Sequence, residues 1–193
     1  MRFFTVLLTL VLAAIVILCP AVAVADDSDT IQVSIVSGGL HTSVGAPDAM
    51  TGVTLGTGAQ VSTGTAAAWT LIDARGSGAG WTLSVSATDF VSAPGTGAGG
   101  LDERVIDVEN LTITPGPAIA GDGSDAGPPT GGIHITNRNQ ALVFAPFGVT
   151  GDKGSFTFPN PVFSLTFPAD ALPSNVGEDG VHPYRTVVVF TIA

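Results

Sequence analysis

Basic residues and cysteines are scarce in this sequence. Its 193 residues include 6 Lys+Arg against 16 Asp+Glu, so the formal net charge is −10. A chain this acidic offers no basic surface that could neutralise phosphate groups, and we expect no nucleic-acid partner. Only 11% of the residues are charged while 45% are hydrophobic. That balance argues against disorder and against a long charged helix.

The abundant residues favour β-structure. Thr, Ser and Val suit pleated strands, and the 25 Gly and 13 Pro suit turns. Side chains alternate with a period of two, most clearly where Thr and Ser separate Trp81, Leu83, Val85 and Ala87. The sequence therefore predicts an all-β fold, as a β-sandwich or β-barrel-like single domain with Gly/Pro-rich loops.

Four finer predictions concern particular segments. Residues 31–36 alternate and predict a first strand, while residues 185–192, apolar on both faces, predict a central or covered last strand. The low-complexity stretch 115–132 predicts a long exposed loop. Two Trp-Thr-Leu tripeptides, at 69–71 and 81–83, flank a glycine-rich turn. If they form a hairpin, both Trp and both Leu share one sheet face.

The N-terminus has the features of a secretion signal. Met1-Arg2 supplies a positive charge, an apolar run extends from Phe3 to Leu18, and Ala23-Val24-Ala25 has the form of a signal-peptidase site. An uncleaved membrane anchor is the alternative, because the run nearly reaches spanning length. We predict a signal peptide over residues 1–25 and a β-sandwich domain over 26–193, secreted and without a membrane span after cleavage. The single cysteine, Cys19, falls in the signal, so the mature domain has no disulfide.

Catalytic chemistry is not evident from the sequence. His41, His134 and His182 lie far apart and have no other metal ligand at helical or hairpin spacing. The acidic pairs Asp102-Glu103 and Asp107-x-Glu109 sit in or beside one strand, whereas glycoside hydrolysis needs two carboxyl groups that face each other across a cleft. We predict that the protein is not an enzyme and has no catalytic metal.

Calcium remains open as a stabilising ion. Asp122-Gly123-Ser124-Asp125 is the stretch most similar to a calcium loop, although it lacks the EF-hand pattern. Apart from this possible calcium ion, we predict no cofactor.

The segment from Asp73 to Phe90 carries a resemblance. Its Arg75-Gly76-Ser77-Gly78-Ala79-Gly80 turn, its Trp81-Thr82-Leu83 and the alternating strand that follows resemble the first W-x-L segment of the WxL-domain proteins of Gram-positive bacterial surfaces. Phe190-Thr191-Ile192 stands where that family usually carries a second W-x-L. The resemblance implies a secreted β-rich domain that is attached non-covalently to the cell wall, with peptidoglycan as the ligand. The resemblance suggests Trp81 and Leu83 as binding residues of the first motif, with Phe190 and Ile192 as weaker equivalents of the second, and the repeated tripeptide adds Trp69 and Leu71. The alternative interpretation is that these residues are core residues and that the two tryptophans pin the sheet.

Two functional hypotheses follow. The first is a non-enzymatic, extracellular, cell-wall-associated protein that binds peptidoglycan or other surface proteins, with one Trp partly exposed and stacked on a sugar ring. The second is a structural or adhesive subunit of a surface layer or filament, in which strand-rich terminal segments pair with another copy.

Overall fold

The computed structural model describes residues 32–96, 102–148 and 152–193. The predicted signal peptide, residues 1–25, lies outside the described residues. Contacts divide the chain after Ile35, and the unit described below is Val36–Ala193. Of the preceding residues, Gln32–Ile35 are exposed and belong to no strand.

Within Val36–Ala193, the described residues form short β-strands and one 3₁₀ turn, Val108–Asn110. The strands are β1 Leu40–Ser43, β2 Gln60–Thr65, β3 Trp69–Asp73, β4 Trp81–Ala87, β5 Phe90–Ser92, β6 Arg104–Ile106, β7 Leu111–Thr114, β8 Ile119–Ala120, β9 Ile133–His134, β10 Gln140–Ala145, β11 Gly154–Phe158, β12 Val162–Phe167, β13 Asn175–Gly177, β14 Gly180–His182 and β15 Val188–Ile192. The predicted all-β class is confirmed.

The first layer joins two four-stranded sheets, β1-β3-β11-β8 and β2-β12-β7-β9. β2 leads into β3 and β11 leads into β12, and both antiparallel pairs keep one register across the junction. The Ala66 N–H donates to the Pro161 carbonyl at 2.9 Å between them. The ladder therefore continues through the bend, and the two sheets form a single curved layer.

The second layer is the sheet β10-β4-β15. β5 follows β4 and extends the contact with the end of the chain, since Val91 and Arg185 form an isolated antiparallel bridge. Alternation on β4 is strict: every second side chain is buried, from Trp81 to Ala87. The alternation predicted for this strand is confirmed.

The core lies between the two layers. Trp69 and Phe156 of the first layer contact Phe190 and Trp81 of the second, with ring centroids 5.3 and 5.9 Å apart respectively. The buried core also contains Leu71, Leu83, Val85, Leu111, Ile113, Ile135, Val143, Phe158, Phe163 and Leu165. This face-to-face burial is that of a β-sandwich-like domain.

Two strand predictions are wrong. Gln32–Val36 form no strand, and Val33 and Ile35 are 84% and 92% exposed. β15 is an edge strand, and its outward Val189 is 51% exposed. A strand that is apolar on both faces can be buried on both faces, but its sequence does not show whether another element packs on its outer face.

The two Trp-Thr-Leu segments do not form the hairpin considered above, and the stretch 115–132 is not wholly an exposed loop. β3 and β4 belong to different layers, because Gly76, Gly78 and Gly80 adopt φ of +71°, +62° and +73° and redirect the chain between layers. Within 115–132, Ile119–Ala120 pairs with β11, and Pro115 and Pro128 are buried. Composition does not reveal such docking against a sheet edge.

Candidate functional site

Both Trp-Thr-Leu tripeptides project into the core. Trp69 and Leu71 are 1% and 0% exposed on β3, and Trp81 and Leu83 are 2% and 0% exposed on β4. The interpretation of both tryptophans as core residues is therefore confirmed, and the alternative that one of them is partly exposed is wrong. Neither indole ring presents a face on which a sugar ring could stack.

Trp69 is held by polar and aromatic contacts together. Its indole N–H donates to the Gly45 carbonyl oxygen at 2.8 Å. Edge-to-face packing against Phe163, at a centroid distance of 6.2 Å, covers the ring from the first layer. A satisfied N–H and a covered ring are what a core tryptophan requires.

The residues suggested as a second motif join the same cluster. Phe190 and Ile192 are half-buried on β15, where they pair with Val85 and Leu83 of β4. The structure thus brings all six predicted binding residues together, on β3, β4 and β15. It places them on inward faces, so they form packing rather than a ligand surface.

The corner between β3 and β4 carries a buried ion pair. Arg75 donates from Nε to Asp73 Oδ1 at 2.9 Å and from Nη2 to Asp73 Oδ2 at 2.6 Å. Nη2 also donates to the Gly80 carbonyl oxygen at 2.5 Å. Asp73 is 3% exposed. The hydrogen bonds from Arg75 lower the pKa of Asp73, against the opposing effect of burial, and the pKa of Arg75 is raised by the same bonds.

A surface without charged side chains lies on the outer face of the second layer. None of the residues in β4, β10 and β15 is acidic or basic. We call this outer face the charge-free face; its residues are Thr82, Ser84, Ser86, Ala141, Phe144, Val189 and Thr191.

Phe144 is the aromatic residue of the charge-free face. It pairs with Thr82 and is 55% exposed. A register shift between Ala141 and Val143 turns it outward. The sequence shows the Thr and Ser alternation of β4, but not this bulge, so Phe144 was missed as a surface residue.

The ring of His182 is fixed by polar contacts on both sides. Both ring nitrogens of His182 are engaged, Nε2 with Asp179 Oδ1 at 2.7 Å and Nδ1 with the Ala93 carbonyl oxygen at 3.3 Å. The carboxylate of Asp179 is the main cause that raises the pKa of His182. Ser92 donates to the backbone carbonyl of His182, at 2.6 Å, and not to its ring. No ring nitrogen is left to activate this hydroxyl as a nucleophile.

Carboxylates approach each other beside the predicted calcium loop. A hydrogen bond between Asp125 and Asp152, and the proximity of the two charges, raise the pKa of Asp125. Within residues 32–96, 102–148 and 152–193, no group of three or more His, Cys, Asp and Glu side chains is placed to hold a metal. Calcium also binds backbone carbonyl oxygens and water, so the calcium expectation stays a prediction.

No protein-family model, no curated protein and no solved structure matches the chain. The resemblance to WxL-domain proteins therefore stays a prediction. In the part of the chain that the structure describes, no helix has the length and apolar character needed to cross a membrane.

Proposed function

We propose that this is a secreted, non-enzymatic surface protein that associates non-covalently with the bacterial cell wall through its charge-free face. The predicted signal peptide and the WxL resemblance support the location and the ligand class, peptidoglycan. Because both tryptophans are buried, we assign the wall contact to the outer face of β4, the strand that carries Trp81, rather than to the W-x-L residues.

The charge-free face is the observation that carries the proposal. The protein has a formal net charge of −10, and anionic wall polymers repel an acidic protein. A sheet face without acidic side chains is where that repulsion is weakest. Phe144 offers a ring for apolar contact, and Thr82, Ser84 and Ser86 offer hydroxyl groups for hydrogen bonds to glycan or peptide.

Co-sedimentation with purified Gram-positive sacculi tests the proposal. We expect saturable pelleting that Phe144→Ser weakens strongly. The matched control is Ile72→Ser, which removes an apolar side chain that is 45% exposed on the outer side of β3, in the other layer. Equal loss in both variants, or pelleting unaffected by Phe144→Ser, contradicts the assignment of this face. Absence of pelleting by the wild type removes wall binding altogether.

A structural or adhesive subunit of a surface layer or filament is the second candidate function. The observation that favours it is that β15 is hydrogen-bonded to a strand on one side only in the described residues, together with the exposed, strand-patterned residues Gln32–Val36. Exposed strand edges template pairing with another chain.

A further inference from the structure

We propose that a cavity beside the start of β15 binds a single-chain amphiphile, with its apolar body against the core and its anionic head at the mouth. The cavity shares no residue with the charge-free face. The inference therefore goes beyond both candidate functions and depends on neither.

The cavity has the size of a small-molecule site. Its volume is about 690 Å³, within the range of about 300–1,000 Å³ that is usual for such sites. Residues of both layers line it, from β12 in the first layer and from β15 in the second. Voids left by ordinary core packing are rarely larger than a water molecule, so this space is not a packing defect.

The inner wall of the cavity is largely apolar and belongs to the core. It includes the buried residues Phe90, Leu111, Phe163 and Leu165. Four further lining residues pack against this core and are nevertheless only half-buried: Met50, Phe167, Tyr184 and Val188. An apolar ligand would complete their burial, which is the main source of affinity in sites of this kind.

The outer wall is residues 46–53, in the segment that follows β1. Hydrogen bonds tie this segment to β2. Ser62 Oγ donates to the Thr51 carbonyl oxygen at 2.5 Å, and the Thr51 N–H donates to the Thr63 carbonyl oxygen at 2.8 Å. The Thr63 N–H donates in turn to Thr51 Oγ1 at 3.0 Å. The chain itself therefore walls the cavity before any ligand binds, as is usual for ligand sites.

Positive charge is concentrated at the mouth of the cavity. The whole chain has 6 Lys+Arg against 16 Asp+Glu, yet Arg185 lines the cavity and Arg104 donates from Nη1 to the carbonyl oxygen of Pro173, another lining residue. Burial raises the pKa of Tyr184 and the charge of Arg104 opposes that rise, so Arg104 acts on this lining hydroxyl as well. Among the described residues, Asp48 is the one acidic residue of the lining. Two arginines against one carboxylate reverse the charge ratio of the chain, so the mouth favours an anion.

Arg185 is placed to hold the anionic head. Its backbone exchanges two hydrogen bonds with Val91, both at 2.9 Å, which fix its position. Its guanidinium makes no hydrogen bond or ion pair with any described residue. Asp89 borders a neighbouring hollow together with Arg185, and its carboxylate accepts the Val108 N–H at 2.9 Å. Guanidinium groups form charge-assisted hydrogen bonds with carboxylates and related anions.

The two halves of the site together define the class of ligand. A neutral apolar molecule would fill the cavity and leave the arginines at the mouth without an anion. A small polar anion would contact the arginines and leave the apolar wall exposed to water. A ligand with an apolar chain and one anionic head, such as a long-chain carboxylate, satisfies both halves.

Two fluorescent probes that differ in one group test the site. N-phenylnaphthylamine is neutral and apolar, and anilinonaphthalene sulfonate adds an anionic group to the same ring system. We expect both to bind the purified protein saturably and to gain fluorescence. Arg185→Gln should weaken binding of the sulfonate by about fivefold and leave the neutral probe unchanged, because only the sulfonate contacts the guanidinium. Arg138→Gln, at an exposed arginine outside the lining, should change neither.

Two further pairs of variants test the apolar wall and the mouth. Val188→Trp should fill part of the cavity and weaken both probes, whereas Val187→Trp, at a residue that is 64% exposed and outside the lining, should weaken neither. Leu172→Asp places a negative charge on a lining residue that is 57% exposed, so it should weaken the sulfonate alone and leave the fold intact. Val181→Asp, at a valine 66% exposed on β14, is its control.

Displacement distinguishes a free ligand from a membrane lipid. We expect dodecanoate, below the concentration at which it forms micelles, to displace the sulfonate, and we expect no flotation of the protein with phosphatidylglycerol vesicles. Four results would overturn the proposal: neither probe saturates, Arg185→Gln and Leu172→Asp leave sulfonate binding unchanged, a folded Val188→Trp variant binds both probes normally, or the protein floats with vesicles while dodecanoate displaces nothing. Sacculi are not involved in these measurements, so their failure is distinct from failure of wall binding.

Discussion

Arg75→Ala tests the ion pair that fixes the passage of the chain from the first layer to the second. It leaves the carboxylate of Asp73, a residue only 3% exposed, without its cationic partner. Removal of one member of a buried ion pair costs about 3–5 kcal/mol. The Arg75 side chain is 28% exposed, so water reaches the vacated site, and its backbone N–H still donates to Asp73 at 3.0 Å. We therefore expect the free energy of unfolding to fall by about 2–3 kcal/mol.

Denaturant unfolding at neutral pH measures this loss. The control is Arg138→Ala, which removes the same charge from an exposed position and should change stability by less than about 0.5 kcal/mol. A loss for Arg75→Ala as small as that of the control would refute the reasoning, because it would mean that the pair contributes no more than a solvated charge.

The pH dependence of the same difference provides a second check. Hydrogen bonds from Arg75 lower the pKa of Asp73 from its ordinary 3.8. A lowered folded-state pKa stabilises the fold above the unfolded-state pKa, and that stabilisation is lost as pH falls through the folded-state pKa. The difference in free energy of unfolding between wild type and Arg75→Ala should be largest at neutral pH and should decrease below about pH 4. A gap that stays constant into acid would contradict the ionic origin of the effect.

Three further predictions concern turns and titratable groups. Gly80→Ala should lower the free energy of unfolding by at least about 2 kcal/mol, because its Cβ would lie 2.5 Å from the Ala145 carbonyl oxygen at a φ of +73°. Gly76→Ala, at a φ of +71° in open space, should lower it by about 1 kcal/mol. Equal losses for the two variants in denaturant unfolding would be inconsistent with the close approach at Gly80. His182→Gln should lower the melting temperature below about pH 6, and the difference should shrink as pH rises through the raised pKa of His182, because the bond to the Asp179 carboxylate stabilises the protonated ring more than the neutral ring; a difference independent of pH argues against this. Asp125→Asn should raise the melting temperature at neutral pH and not in acid, because it removes a carboxylate whose raised pKa shows that its charged form is disfavoured beside Asp152. If added calcium stabilises the wild type and not the variant, the carboxylates instead bind this ion.

The part of the fold set by local pattern could be predicted from the sequence. Alternation identified β4 and its inward residues because a strand with one buried face alternates apolar and polar side chains along its length. The same alternation holds in β3, where Trp69, Leu71 and Asp73 are buried and the residues between them are exposed. Local pattern did not show that β3 and β4 belong to two layers, because the direction of a turn depends on its backbone dihedral angles. The glycines of this turn indicate that positive φ is possible, but not which direction the chain takes.

The candidate surface was harder to predict because exposure is a property of the assembled layers. The Trp and Leu residues of the two tripeptides have large apolar side chains, which are found both in protein cores and in binding sites. Phe144 turns outward because of a bulge whose position depends on how β10 pairs with β4. β15 lies at an edge because no further strand pairs with it in the described residues, which its own sequence does not encode.

Tryptophan fluorescence with and without sacculi tests the central claim most directly, namely that the Trp-Thr-Leu residues form the core and leave ligand contact to other surfaces. With Trp69 and Trp81 at 1% and 2% exposure, the account predicts blue-shifted emission, weak quenching by acrylamide and no change in either when sacculi are added. Red-shifted emission that acrylamide quenches readily in the free protein, and that sacculi protect, would contradict the account and return the tryptophans to the binding site.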